Sequence, residues 1–166
     1  MDIILHTMNY LHSKVGNEIP SYQVLEFQRH ITKLFQCCTE RMQYQSEKFQ
    51  LPDAELRCLM LFGEERYLTP GGIAQKLNVV RSRVSKIVNG LLKKNLIQRT
   101  KDPEDSRIYL LSLTPDGQRK WNEINAFVQQ TNREILSQML PEQRSAVIIS
   151  LGILEASMEV VKELMV

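Results

Sequence analysis

Residues 68–117 change their hydrophobic period within a short distance, and this constrains the fold more than any other feature of the 166-residue chain. Two short segments repeat apolar residues every three or four positions, as helices do. After Asn95 the repeat shortens to two, and it resumes beyond a charged turn at residues 102–107, as in a pair of strands. The order helix, turn, helix, hairpin predicts a helix-turn-helix followed by a wing.

Thr69 and Pro70 mark the start of the first short helix. The Thr69 hydroxyl can cap the first turn, and a proline there loses no helical hydrogen bond. Its inward residues are predicted to be Ile73, Ala74 and Leu77, before a turn at Asn78 and Val79.

The second helix is predicted to begin near Arg81 and to carry its charge on one side. At about 100° per residue its inner face consists of Val84, Ile87, Val88, Leu91 and Leu92. Residues 81–95 include five Lys or Arg and no acid, whereas a solvated surface helix usually mixes both signs. This pattern favours contacts with phosphates and base edges. The candidate DNA contacts are Arg81, Ser82, Arg83, Ser85, Lys86 and Asn89.

The hairpin that follows is predicted to add contacts to the same partner. Its strands carry basic residues outward, and Pro103 occupies the turn. Two strands alone are marginally stable, so the hairpin must pack against the helices of the same domain. An acid at position 105 is placed to orient an arginine through a charged hydrogen bond. The candidate contacts of the wing are Arg99, Lys101, Asp105 and Arg107.

Residues 105–117 resemble the wing signature of the MarR (multiple-antibiotic-resistance regulator) family, D-x-R-x-x-x-L-x-L-T-x-x-G, at all six fixed positions. Residues 51–59, 69–77 and 84–91 look like the second, third and recognition helices of that family. The resemblance implies a mainly α fold with a small two-stranded β wing, in which dimerisation helices flank the winged helix-turn-helix. It also implies a regulator of transcription, by family habit more often a repressor, that binds double-stranded DNA as a homodimer.

Two positions depart from the family pattern. Val80 stands where many members cap the recognition helix with Ser or Thr, so the cap must come from elsewhere, such as Ser82 or a DNA phosphate. Gly90 stands where relatives usually carry a longer residue, at a cost of about 1 kcal/mol of helix propensity. The register of the base contacts is therefore left open.

Charge is segregated along the chain. The net charge is +2, but residues 76–107 hold nine Lys or Arg and three Asp or Glu, which leaves the remainder acidic. The apolar start at residues 3–5 is followed at once by polar residues, so we expect neither an export signal nor a membrane segment. Unpaired cysteines fit a reducing cytoplasm.

Long helices are predicted on both sides of the lobe at 51–114. Apolar stripes at helical spacing run through the segments 1–50 and 115–166, which we assign to one helical dimerisation lobe. These segments carry more apolar surface than the lobe at 51–114 can cover. Dimerisation with a second copy of the chain is the simplest way to bury it, and a monomeric helical bundle is the alternative. The stripe between about Ser21 and Phe49 consists of Val24, Phe27, Ile31, Leu34, Phe35, Cys38, Met42 and Phe49.

Effector chemistry is less constrained by the sequence. By resemblance, a small aromatic or phenolic ligand would modulate DNA affinity from a cleft between the dimer helices and the DNA lobe, with Arg41, Tyr44 and Arg57 as candidate lining residues. Alternatively, Cys37 or Cys58 could make the chain a thiol-based redox sensor, whereas Cys38 is predicted to be a core residue. A third reading is a winged helix that binds protein and no DNA.

Catalysis and metal binding find no support in the sequence. The three histidines have no ligand spacing, and no phosphate loop, zinc-protease helix or nucleophile elbow occurs. We therefore expect no enzyme activity, no cofactor and no metal.

Overall fold

The computed structural model describes residues 18–63, 65–101 and 109–165. Contacts divide the chain into two compact units, Met1–Asp53 and Ala54–Val166. The described elements are α1 (Ser21–Phe49), α2 (Asp53–Met60), a 3₁₀ turn (Leu61–Gly63), α3 (Pro70–Leu77), α4 (Arg81–Lys93), β1 (Ile97–Lys101), β2 (Tyr109–Leu113), α5 (Pro115–Ser137) and α6 (Pro141–Glu163). This order confirms the predicted mainly α fold with a two-stranded wing.

Helix α1 is one continuous helix with the predicted limits. It starts after Pro20 and ends at Gln50, whose backbone is left-handed (φ 53°). Most of the predicted apolar stripe is exposed in the single chain, with Phe35 at 73%. Cys38 is also exposed, so its prediction as a core residue was wrong for the single chain, because periodicity shows which face is apolar and not what covers it. The apolar repeat predicted for residues 4–15 lies outside the described residues.

The core of the second unit lies where the helix-turn-helix meets the wing. Nine side chains there are essentially inaccessible to solvent, and they come from α2, α3, α4, both strands, the segment before α3, and α5. Burying a Val, Leu or Ile side chain contributes about 1.5–3 kcal/mol. They are Cys58, Leu59, Leu68, Ile73, Val84, Leu91, Ile97, Leu111 and Ile124.

The wing is an antiparallel pair whose register runs from Ile97 opposite Leu113 to Lys101 opposite Tyr109. A further backbone pairing, which the sequence did not predict, lies at the edge of this sheet. Leu68 donates its N–H to the carbonyl of Leu111 at 3.0 Å and accepts the N–H of Leu111 at 2.8 Å. This bridge joins the middle of β2 to the segment that leads into α3, so the hairpin has the additional support that two strands need.

Helix α5 is attached to the winged helix through its first turn. The Thr114 hydroxyl accepts the Gly117 N–H at 2.9 Å and donates to the Asn95 carbonyl at 2.6 Å. The Thr114 N–H reaches the Leu96 carbonyl at 3.1 Å. These bonds explain why contacts group α5 with the winged helix, where the sequence placed 115–166 with the N-terminal helices. A shared dimerisation lobe of 1–50 and 115–166 stays a prediction.

Helix α6 has no buried residue. Its exposed large apolar side chains include Ile148, Ile149, Leu151 and Ile153. Among the described residues, no helix combines the length and the apolar character needed to cross a membrane.

Candidate nucleic-acid interface

The turn between α3 and α4 has the features that the sequence predicts. The Thr69 hydroxyl accepts the Gly72 N–H at 3.1 Å, with Pro70 in the first turn of α3. Asn78 closes α3 in the left-handed conformation (φ 52°), which asparagine tolerates better than most residues. The chain then turns and enters α4 at Arg81, as predicted.

Burial on α4 confirms its predicted inner face. Val84, Ile87, Val88 and Leu91 are buried, and Leu92 is half-buried. Because these side chains hold the helix against the core, its opposite face is turned to solvent. All six candidate contacts of this helix are exposed, namely Arg81, Ser82, Arg83, Ser85, Lys86 and Asn89. Whether they contact DNA stays a prediction.

The start of α4 is open to an external acceptor. Val80 supplies no side-chain cap, although its carbonyl accepts the N–H groups of Arg83 (3.0 Å) and Val84 (3.3 Å). The Ser85 hydroxyl bonds back to the Arg81 carbonyl at 3.4 Å. Backbone N–H groups at a helix start favour anions such as phosphate.

A hydrogen bond joins α4 to the first strand of the wing. The Arg99 guanidinium on β1 donates to Oδ1 of Asn89 on α4 at 3.2 Å. The Asn89 oxygen keeps a second acceptor position, and the amide N–H donors remain available. Lys101 is exposed at the end of β1, whereas Asp105 and Arg107 lie outside the described residues.

Gly90 has a structural explanation that the sequence did not show. The Glu55 carboxylate of α2 forms an ion pair with Lys94 at 2.7 Å, just beyond the end of α4. A Cβ atom on Gly90 would collide with this carboxyl group. Glycine therefore makes room for an ion pair that connects α2 to the recognition helix. No local pattern signals this pairing, because Glu55 and Lys94 are distant in sequence.

The predicted ligand and redox residues fall in different surroundings. Arg41 is half-buried and Tyr44 exposed on α1, and Arg57 is exposed on α2. Cys37 is exposed. Cys58 is fully buried, and burial together with the nearby Glu55 carboxylate raises the pKa of its thiol to about 12. Reactive thiols need access and a lowered pKa, so the structure argues against Cys58 as a sensor.

The fold is that of a winged helix-turn-helix protein. A tight turn joins α3 to α4, the exposed face of α4 is basic, and a hairpin follows α4. A MarR family model matches residues 49–108. This match places residues 49–108, which include α2, α3, α4 and β1, in the MarR family of transcriptional regulators.

Similarity to individual relatives extends over different lengths. The repressor MdtR of Bacillus subtilis (strain 168) is 33% identical over 101 residues, which cover 61% of this chain and 65% of MdtR. This chain spans less than two thirds of the length of each curated relative that it matches.

Solved structures support the fold over most of the chain. YusO of Bacillus subtilis has a TM-score of 0.65 at 28% identity and covers 84% of this chain and 99% of its own. FabT of Streptococcus pneumoniae, crystallised in complex with DNA, has a TM-score of 0.73 at 20% identity and covers 81% and 99%.

Proposed function

We propose that this chain is a DNA-binding transcriptional regulator that inserts α4 into the major groove of a duplex. The exposed, acid-free face of α4 carries the proposal, since phosphates and guanine edges are the partners that Arg and Lys prefer. The FabT complex supports it, because a protein of this fold is seen there on DNA. A role in protein binding alone would favour an apolar recognition face.

The wing complements α4 in this proposal. Arg99 and Lys101 are exposed on β1 and would contact phosphates, and Arg107 would enter a narrow minor groove with Asp105 orienting it. Arg99 orients the Asn89 amide through its Oδ1, which keeps a second acceptor position. Asn89 would therefore bind an adenine edge or donate to a phosphate.

The functional unit in this proposal is a homodimer. The apolar side chains on α1 and α6 are exposed in the single chain, among them Phe35 and Ile149. A second copy would cover them, and two-fold symmetry would place two recognition helices about 34–36 Å apart, the spacing of a pseudo-palindromic operator. The relative MdtR is a repressor, which favours repression in the cytoplasm for this chain.

Control by a small aromatic or phenolic ligand completes the proposal, with Arg41, Tyr44 and Arg57 as candidate contacts. Such a ligand acts only if it binds the DNA-competent and incompetent forms unequally, with a typical coupling of about 1–3 kcal/mol. Thiol control is the rival, since Cys37 and Cys38 are exposed. Peroxide-driven release from DNA that Cys37→Ser abolishes would favour the rival.

Selection from a random duplex library, followed by titration of the selected site at several salt concentrations, tests DNA binding. With roughly four phosphate contacts per protomer, log K should fall against log salt with a slope of about −7. Sedimentation at micromolar concentration should show a dimer. Failure to enrich any duplex, or binding without salt dependence, would contradict the proposal.

A further inference from the structure

Val80 immediately precedes α4 and presents an isopropyl group to solvent. The residue is 70% exposed. All other large aliphatic residues of the segment Pro70–Lys93, which the structure describes completely, are buried or half-buried. Val80 is therefore the one exposed aliphatic side chain of the helix-turn-helix, and it lies at the leading end of the helix with the basic face.

The backbone holds this side chain in a fixed place. Val80 is extended (φ −67°, ψ 148°), and its carbonyl accepts the N–H of Arg83 at 3.0 Å and that of Val84 at 3.3 Å. Val84 is itself buried in the core. A β-branched side chain also has few rotamers. The isopropyl group is thus ordered before a partner arrives, and a contact with it costs little conformational entropy.

Valine at this position does not stabilise the start of α4. It provides no side-chain cap, whereas Ser, Thr, Asn or Asp could accept an N–H of the first turn. Because the residue is exposed, it also gains little from burial among the described residues. The isopropyl group is therefore free to contact an apolar group of a partner.

The surroundings of Val80 indicate which apolar group this is. The three residues that follow, Arg81, Ser82 and Arg83, are exposed, and the whole of Arg81–Lys93 contains no acid. This setting favours nucleic acid over an apolar protein surface. In a helix-turn-helix bound to DNA, the N-terminal residues of the second helix meet base edges in the major groove. The apolar group on those edges is the C5-methyl of thymine, since the other readable groups are hydrogen-bond donors or acceptors.

We infer that Val80 is a specificity-determining residue that packs against the C5-methyl group of one thymine in each half-site of the operator. This inference rests on the proposed DNA binding and extends it, because it names a base that the operator must contain. Arg81, Ser82 and Arg83 would supply the hydrogen bonds around this contact. A cytosine at the same position has no methyl group, so it would leave the isopropyl group without an apolar partner.

The size of the effect follows from the burial of one methyl group. About 0.8 kcal/mol per buried carbon corresponds to about a fourfold change in affinity. Base changes at well-separated positions are roughly additive in free energy. Loss of the methyl group from both half-sites should therefore weaken binding about sixteenfold.

Deoxyuridine isolates the contribution of the methyl group, because it pairs like thymine and keeps the O4 acceptor. The operator selected from random duplexes is synthesised with each thymine of one half-site, on either strand, replaced in turn. The full-length protein is titrated with each duplex by fluorescence anisotropy at one salt concentration. We expect one replacement to weaken binding about fourfold, and the same replacement in both half-sites to weaken it about sixteenfold.

Substitutions at Val80 connect this preference to its side chain. Val80→Ala removes the isopropyl group and leaves the helix start unchanged, because neither side chain can cap. This variant should bind the thymine and deoxyuridine duplexes equally. Val80→Ser should also lose the preference, while its hydroxyl caps α4 and raises the thermal midpoint. Arg133→Ala, at an exposed position on α5, is the control and should keep the fourfold ratio.

Circular dichroism checks that each variant folds, and the failures of the two proposals are distinguishable. If the parent enriches no duplex, DNA binding fails and this inference fails with it. If the parent binds its selected duplex and no deoxyuridine replacement weakens binding beyond about twofold, DNA binding stands and the role of Val80 is refuted. A thymine preference that persists unchanged in Val80→Ala and Val80→Ser would also refute it, because the methyl group would then act through another residue or through the shape of the duplex.

Discussion

Gly117 and Gly72 form a matched pair that tests how α5 is attached to the winged helix. Each is the third residue of a helix that begins with proline and is capped by a threonine hydroxyl accepting the glycine N–H. Their surroundings differ. A Cβ on Gly72 would meet only the Thr69 hydroxyl, at 3.4 Å, which is ordinary contact. A Cβ on Gly117 would lie 2.8 Å from the Leu96 carbonyl carbon and closer still to its oxygen.

The magnitude of the effect follows from what must move. To admit a methyl group at Gly117, α5 and the Leu96 carbonyl must separate. This weakens the hydrogen bond from the Thr114 N–H to the Leu96 carbonyl and that from the Thr114 hydroxyl to the Asn95 carbonyl. Two hydrogen bonds contribute about 0.5–1.5 kcal/mol each, and overpacking costs about 1–3 kcal/mol. The gain in helix propensity returns about 1 kcal/mol. We expect Gly117→Ala to destabilise the protein by about 3 kcal/mol.

Urea unfolding, followed by Trp121 fluorescence at one fixed protein concentration, measures this difference. Gly72→Ala should be neutral or stabilising by up to about 1 kcal/mol, because it gains propensity without a clash. If Gly117→Ala unfolds at the same urea concentration as Gly72→Ala, the close approach at Leu96 does not hold α5 in place.

Three further predictions concern the recognition helix, the buried thiol and the exposed face of α1. Lys86→Ala should reduce the slope of log K against log salt by about one per protomer, relative to the control Arg133→Ala in the same fluorescence-anisotropy titration; an unchanged slope would remove Lys86 from the phosphate contacts. The pKa of the Cys58 thiol is raised from 9.0 to about 12, so the unfolded chain releases this proton at a lower pH than the folded protein does, and stability is lost as the pH rises from about 9 to 12. Between pH 8 and pH 10.5 the free energy of unfolding should therefore fall by about 2 kcal/mol more in the parent than in Cys58→Ala. An equal fall in both proteins would contradict this. Phe35→Glu should shift the sedimenting species from dimer to monomer by placing a charge on an apolar contact, whereas Gln28→Glu should leave the dimer intact; a dimeric Phe35→Glu would exclude that face from the interface.

Local signals predicted the helix-turn-helix well because its determinants are close together in the chain. Thr69 and Pro70 cap α3, and the apolar spacing from Val84 to Leu91 gives the buried side of α4. Nothing local signals the bridge between Leu68 and Leu111, or the carboxylate that fills the space beside Gly90, because both depend on residues distant in sequence.

The candidate site was predicted only in part for a related reason. Helical projection shows which residues of α4 face solvent, and all six proposed contacts are exposed. It cannot show that Arg99 engages Asn89, since that bond depends on where the wing meets the helix. Similarly, the stripe on α1 predicted an apolar face, but Cys38 on that face is exposed, since periodicity does not describe what covers a face.

The bridge between Leu68 and Leu111 also bears on how the chain folds. The two residues enclose the whole of α3, α4 and β1 in sequence, so their backbone bonds close a loop that contains the recognition helix. Closing so long a loop has an entropic cost that the contacts inside it must offset together. The recognition helix and the second wing strand should therefore form in one cooperative step, and a fragment that stops before Tyr109 should lack a stable helix-turn-helix.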